Sequence, residues 1–216
     1  MTDMPIGENG AETRPHDAAM PIMVLASIIG GLVIGTLLWV SWLYYYIPFL
    51  SPLFAAAVAV WYMGKVIHFT RINNLALVTI CGVLISLLLY GTLWVGRYFY
   101  TMGQLREDLR TVVEEESLDV TLDDATADRL INDYFEDETG QRGFIGYAML
   151  EAEDGMTIKP TRSTVGSRQE TNIGTPLTVL YWVIEIGLIL RMVVLMSRAN
   201  AKKYHRAAVS SPAEAL

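Results

Sequence analysis

The sequence predicts an all-α polytopic membrane protein, with four transmembrane helices and a small helical extramembrane segment between helices 3 and 4. Hydrophobic residues make up 52% of the 216 positions, which is too apolar for an ordinary soluble domain. Each of four apolar runs is close to the ~20 residues that a helix needs to cross a bilayer core. Backbone polar groups must be paired within the segment in lipid, so these runs are expected to be helices. They cover residues 22–45, 47–69, 75–95 and 177–196.

The charges divide the chain further. Thirteen of the 23 acidic residues lie between Glu107 and Glu138, which predicts a solvated segment outside the membrane. The domain prediction is a disordered N-terminal tail at 1–20, three transmembrane helices at 21–99, an acidic and mostly helical segment at 100–175, the fourth transmembrane helix at 176–197, and a basic tail at 198–216.

Small residues recur at four-residue spacing in the first run, at Ser27, Gly31 and Gly35. Residues with this spacing form a groove on one helix face, where a second backbone can approach closely. The groove therefore predicts either close helix packing within one chain or homodimerisation.

Basic residues at the ends of the runs indicate the orientation. The turn after the first run has no Lys or Arg, whereas the second turn is flanked by Lys65, His68 and Arg71, and the tail is basic. Positive charge in short loops favours the cytoplasmic side, so both termini are predicted to be cytoplasmic. The three basic membrane-edge residues are explained by snorkelling or, alternatively, by binding of anionic lipid headgroups.

The extramembrane segment contains helical signals. Thr121 is the predicted N-cap of a helix that extends to about Phe135 and stops near Gly140. A short helix or, alternatively, a strand is expected from Phe144, and residues 161–174 suggest an irregular return to the membrane. The apolar positions with helical spacing are Leu105, Leu109, Val112 and Val113 before this helix, and Ala127, Leu130, Ile131, Tyr134 and Phe135 within it.

Motifs that carry chemistry are missing from the sequence. The acidic positions Asp119, Asp123, Asp124 and Asp128 have no calcium-loop spacing, so a solvated helix face explains them better than a metal site. No nucleophile–base pattern and no zinc-ligand spacing occurs. We therefore predict no catalytic residues, no metal, no cofactor, no enzymatic activity and no nucleic-acid partner.

Glu185 is the unusual residue, because a carboxyl inside a transmembrane run is by default a functional candidate. It lies roughly 14 Å below the outer end of its helix, at about the depth of Ser86 and Thr36. Desolvation favours its neutral form, and we expect it to bond to Ser86, Thr36 or a backbone carbonyl. Arg191 lies about 120° away around the helix and is expected to snorkel to the inner edge. A structural clamp and a proton or ion relay both remain open for Glu185.

Four patches resemble a family of bacterial integral membrane proteins of unassigned function. The turn at 68–74 resembles their G-K-x-x-x-x-x-K-x-R-N stretch, and residues 138–147 resemble their T-G-x-x-G-F-x-G-Y segment. The G-x-x-I at 155–158 and the Y-W-x-x-E at 181–185 are similar to their following motifs, in the same order. The resemblance implies a multi-pass protein of the bacterial inner membrane and supplies no activity.

Two hypotheses on function follow. The first is a structural or accessory membrane protein that acts through protein partners. For the chain itself we expect the lipid bilayer as its surroundings and either a membrane protein partner or a homo-oligomer. The second is a small transporter or channel component that uses Glu185. Transporters commonly have broken helices or several intramembrane polar sites, and here the prolines of runs two to four lie near the ends of the runs.

Overall fold

Six helices and one short strand pair make up the part of the chain that the structure describes. The computed structural model describes residues 16–72, 74–115, 122–154, 156–158, 169–171 and 174–210. The helices are α1 (His16–Tyr44), α2 (Leu50–Thr70), α3 (Leu75–Glu115), α4 (Asp124–Thr139), α5 (Gly143–Asp154) and α6 (Thr175–Ser210). Strands β1 (Met156–Ile158) and β2 (Gln169–Thr171) pair antiparallel, with Met156 opposite Thr171.

Helices α1, α2, α3 and α6 are long and apolar enough to cross a membrane. The prediction of an all-α, multi-pass helical bundle with an inserted helical segment is confirmed. Three boundaries differ from the predicted ones. Residues 16–20 already belong to α1, α3 continues without a break to Glu115, and α6 extends through most of the predicted basic tail to Ser210. The rest of both predicted tails, 1–15 and 211–216, lies outside the described residues.

The small-residue face of α1 packs within the chain. A Cβ placed on Gly31 would lie 2.7 Å from Leu88 Cβ, and one on Gly35 would lie 2.6 Å from the Leu89 carbonyl oxygen. Gly31 meets Ile85 and Gly35 meets Leu89, so α1 and α3 run in the same direction with their backbones in close approach. The small residues of α1 predicted either helix packing within one chain or homodimerisation, and the contact with α3 is packing within the chain.

Helix α6 lies between α2 and α3. It runs antiparallel to α3, since Trp182 packs on Trp94 and Val194 lies beside Gly82. The C-terminal part of α6 runs parallel to α2, and the rings of Tyr204 and His68 are 5.0 Å apart. The C-terminal ends of α2 and α6 therefore lie at the same end of the bundle.

Ion pairs attach the extramembrane helices to the extension of α3. Arg106 of α3 binds the carboxylate of Asp128 in α4 with its guanidinium, at 2.9 Å for the Nη2–Oδ2 pair, and Arg110 pairs with Asp124. Phe135 and Tyr147 are buried between the helices. Two carboxylates of the acidic face of α4 are thus neutralised by arginines of α3.

Several local predictions for this segment are corrected. Helix α4 begins later than expected, because Asp123 is the N-cap and its carboxylate accepts a hydrogen bond from the Thr126 N–H at 2.9 Å. This hydrogen bonding from Thr126 lowers the pKa of Asp123. Thr121 lies outside the described residues. The predicted stop at Gly140 is confirmed by its positive φ of 73°.

The apolar stripe and the return segment also differ in part. Only Ala127, Ile131 and Phe135 of the predicted stripe are buried, while Leu130 and Tyr134 are exposed. The stretch after Gly143 is helix α5 and not the alternative strand. Within the predicted irregular return, residues 169–171 form strand β2, and most of the rest lies outside the described residues.

Candidate functional site

Glu185 occupies the most polar buried position of the helical bundle. Its side chain is only 3% exposed, although it lies on a helix that is largely apolar. The phenol of Tyr46 donates to its Oε1 at 3.1 Å and that of Tyr90 to its Oε2 at 2.9 Å. Tyr181 also donates to Oε1, and the backbone N–H of Phe49 approaches the same oxygen at 3.4 Å. We call these four donors and Glu185 the tyrosine–glutamate cluster.

The donors come from three separate parts of the fold. Tyr181 lies four residues before Glu185, so both side chains share one face of α6. Tyr90 lies on α3 where it faces α6. Tyr46 and Phe49 belong to the turn between α1 and α2, which the cluster therefore ties to α3 and α6.

The turn itself is held in an unusual conformation. Phe49 has a positive φ of 62°, which residues with a side chain rarely adopt. Its ring packs edge-on against Tyr181, with centroids 4.7 Å apart. Because strained backbone persists only where the surroundings fix it, the Tyr181 contact and the Glu185 bond together explain this conformation.

The donors are divided unevenly between the two oxygens of Glu185. Tyr46, Tyr181 and the Phe49 N–H approach Oε1, and Tyr90 approaches Oε2. These hydrogen bonds replace part of the hydration that the buried side chain loses.

The predicted partners of Glu185 were wrong. Ser86 is buried, but its hydroxyl donates to the Gly82 carbonyl at 2.7 Å, one turn earlier in its own helix. Thr36 donates in the same way to the Leu32 carbonyl at 2.8 Å. Hydroxyls in apolar helices commonly satisfy themselves on the preceding turn, which removes them as donors to another helix.

A small cavity adjoins the cluster. Its volume is about 30 Å³, roughly the space of one water molecule. Arg97 lines it, with the guanidinium 4.8 Å from the ring of Trp42 and 4.7 Å from that of Trp94. Arg97 also pairs with Glu151 of α5, so this residue joins the membrane helices to the extramembrane segment. A desolvated guanidinium held by two aromatic faces and a carboxylate is a stable link.

The predicted helix-packing and membrane-edge residues lie apart from this cluster. Ser27 is buried and donates to the Met23 carbonyl, and Gly31 and Gly35 form the contact with α3. Lys65, His68 and Arg71 lie at the C-terminal end of α2, where Lys65 sits over the Trp61 ring and Arg71 is the C-cap. The structure thus puts these three basic residues together at one end of the bundle.

Arg191 is not at a helix end. The contacts Trp94–Trp182 and Gly82–Val194 set the register of α6 on α3, and this register puts Arg191 level with Ile85. Ile85 is ten residues from the start of α3, or roughly 15 Å at ~1.5 Å per residue. The backbone of Arg191 therefore lies well inside the bundle, and the reach of its side chain to the membrane edge stays a prediction.

Sequence reasoning found Glu185 but missed its tyrosines. Tyr46 directly follows Tyr44 and Tyr45, which are exposed, whereas Tyr46 itself is buried. The i, i+4 spacing of Tyr181 and Glu185 was the one signal in the sequence that could have identified a donor.

Within the described part of the chain, no group of three or more potential ligands could hold a metal ion. No family model, curated protein or solved structure matches the chain.

Proposed function

We propose that the protein is a structural or accessory component of the bacterial inner membrane that acts through protein partners. Both termini are cytoplasmic in this proposal, and the acidic segment faces outward. The observation that carries it is the largely apolar core below Glu185 in the described residues, where fully buried apolar side chains separate Glu185 from the inner end of the bundle.

The core between Glu185 and the inner end is closed by apolar side chains. Ala59 and Met63 of α2, Cys81 of α3, and Ile189 and Val193 of α6 are fully buried there. Of the buried serines in this region, Ser27 and Ser86 each donate to a carbonyl of their own helix, and the hydroxyl of Ser197 has no hydrogen-bond partner among the described residues. A proton or ion relay needs closely spaced polar groups or water along its path. The packing therefore favours a clamp, in which Glu185 fixes the α1–α2 turn against α3 and α6.

The distribution of charge supports the proposed orientation. Lys65, His68 and Arg71 end α2, and Arg198, Lys202 and Lys203 lie on the last turns of α6, beside them. The acidic α4 lies on the far extension of α3. Positive charge concentrates on the cytoplasmic side of multi-pass proteins, so the basic end is assigned to the cytoplasm.

Purification from native membranes in mild detergent, followed by native mass spectrometry, tests the proposal. We expect a complex that contains a second protein in fixed stoichiometry. The Glu185→Gln variant should form the same complex, since the amide can still hydrogen-bond to the tyrosines. Recovery of only the isolated chain or a homo-oligomer, at wild-type stability, would contradict the accessory role.

A second candidate function is a small transporter or channel component that uses Glu185. The cavity beside the cluster favours it, because a carboxylate, an arginine and several aromatic rings converge there on the side of the extramembrane segment. This alternative requires the apolar core below Glu185 to open during a transport cycle. Solute uptake into proteoliposomes that depends on Glu185 would support it over the accessory role.

A further inference from the structure

Helix α6 exposes more of its surface than the other membrane helices. Only 22% of its most apolar stretch is buried, against 39–44% in α1, α2 and α3. Its outward stripe contains exposed apolar residues above and below a single charge, Arg191. The residues of this stripe, which we call the outer α6 face, are Leu180, Ile184, Gly187, Arg191 and Leu195. They recur with a period that keeps them within about 40° of Arg191 around the helix.

Arg191 has no partner within the described part of the chain. It is exposed, and it forms no hydrogen bond or ion pair with another described residue. It lies about 160° around the helix from the buried Ile189 and Val193, so it points away from the bundle core. Arginine in a transmembrane segment normally pairs with another group or reaches an interface.

Arg191 lies deeper in the bundle than the other basic residues of α6. The register on α3 puts it level with Ile85, roughly 15 Å from the start of that helix. Arg198, the next basic residue along α6, is seven residues away, or roughly 10 Å, and Tyr204, which contacts His68, is roughly 20 Å away.

The surface next to Arg191 favours an approaching helix. Gly187 lies one turn before it on the same face, and a Cβ placed there would meet no atom within 4 Å. Glycine on an open helix face lets a second backbone approach closely, and this brings a partner side chain within reach of the guanidinium. The open space at Gly187 and the unpaired charge of Arg191 are independent features of the outer α6 face.

We propose that the outer α6 face binds a transmembrane helix of another protein, and that this helix carries an Asp or Glu at mid-membrane depth opposite Arg191. The proposal rests on the accessory function and names the chemistry of the partner. A second copy of this chain does not fit. Glu185 is the only acidic residue in the apolar stretches of the four membrane helices, and it is buried among its own donors. Two Arg191 side chains meeting at a symmetric interface would repel each other.

Designed probe helices test this proposal with the full-length protein in phosphatidylcholine vesicles. Each probe is a Leu–Ala transmembrane peptide with a central Glu, Gln or Leu, and association is measured by fluorescence energy transfer. We expect the Glu probe to bind about tenfold more tightly than the Leu probe, as polar contacts between membrane helices allow. Arg191→Leu should abolish this preference, Arg191→Lys should keep part of it, and Gly187→Leu should weaken binding with the charge intact.

Arg198→Leu is the matched control, because it removes a basic residue closer to the inner end of the same helix. It should leave the preference for Glu unchanged. Equal binding of the Glu and Leu probes to the wild type would overturn the proposal, as would a preference that survives Arg191→Leu. Protein self-association that is lost in Arg191→Leu would identify a second copy as the occupant instead. Loss of the Glu preference on adding phosphatidylglycerol would identify an anionic lipid.

Photocrosslinking in native membranes separates this inference from the proposed function. With a photoreactive residue at Leu195, we expect an adduct that Arg191→Leu eliminates and whose partner segment contains a membrane-embedded carboxylate. An adduct formed only from a residue of the extramembrane segment, such as Leu130, would leave the accessory function in place and contradict the α6 interface. No adduct from either position would contradict both.

Discussion

Replacement of Gly35 by alanine should destabilise the bundle specifically at the α1–α3 contact. The added Cβ would lie 2.6 Å from the Leu89 carbonyl oxygen, 3.0 Å from Leu89 Cα and 2.7 Å from Thr92 Cβ. Two of these three atoms belong to the backbone and cannot rotate away, so the helices must separate. Overpacking of a tight core costs about 1–3 kcal/mol.

Gly91→Ala is the matched control for this change. Gly91 also lies within a membrane helix, but a Cβ there would meet no atom within 4 Å. The gain in helix propensity of about 1 kcal/mol is common to both variants and cancels in their difference. We therefore expect Gly35→Ala to be less stable than Gly91→Ala by about 1–3 kcal/mol, a factor of roughly 5 to 150 in the folding equilibrium.

Reversible unfolding in mixed micelles, with increasing dodecyl sulfate and circular dichroism as the signal, measures this difference. Equal stability of the two variants would refute the close α1–α3 packing described above. If the Gly35→Ala monomer has wild-type stability but no longer dimerises, the glycine face is used between chains.

Three further predictions concern the cluster, the link to the extramembrane segment and the α4 cap. Tyr90→Phe removes one donor to Glu185 and should lower the free energy of unfolding by about 1–3 kcal/mol in the same assay, whereas Tyr44→Phe, at an exposed ring, should not change it. Arg97→Leu leaves Glu151 unpaired, so limited proteolysis should cleave the extramembrane segment faster while the membrane helices stay protected. Asp123 has a lowered pKa in the folded state. Its contribution to stability is therefore complete above the ordinary Asp value of about 3.9 and is lost as the pH falls through the lower folded-state value. The hydrogen-exchange protection factor of the Thr126 amide, corrected for the intrinsic rate at each pH, should fall in that acidic range, and Asp123→Ala should remove this pH dependence.

The four membrane helices could be predicted because hydropathy and the need to pair backbone groups act locally along the chain. The outer boundary of the third span could not be predicted in this way. Helix α3 continues from its apolar part into a charged part without a break, and the change in polarity at Arg97 marks a change of environment rather than the end of a helix. The N-cap of α4 was misplaced by two residues because Thr121 and Asp123 are both good caps, and only the geometry selects Asp123.

The tyrosine–glutamate cluster was only half predictable. A single acid in an apolar helix was evident from the sequence, but its partners depend on how the α1–α2 turn folds. Tyr46 lies two residues beyond the end of α1, and its buried phenol reaches the side chain of Glu185 on α6. Estimates of depth along separate helices cannot show such a contact, and they selected Ser86 and Thr36, whose hydroxyls are used within their own helices.

The position of Arg191 was also beyond the sequence. Its depth depends on the register of α6 against α3, which large side chains such as Trp94 and Trp182 determine. The apolar run alone ended near Met196 and made Arg191 seem close to its inner edge. The structure supplies the register of α6 on α3, which puts the same residue level with Ile85, ten residues from the start of α3.

Proton flux through the reconstituted protein tests the central claim, that Glu185 is a clamp in a closed bundle, most directly. Wild type and Glu185→Gln are placed in identical vesicles with an internal pH-sensitive dye, and a pH step is applied in either direction. The clamp predicts that both proteins conduct no faster than protein-free vesicles. Wild-type flux above this background, lost in a Glu185→Gln variant of unchanged stability, would contradict the claim and assign Glu185 to a proton relay.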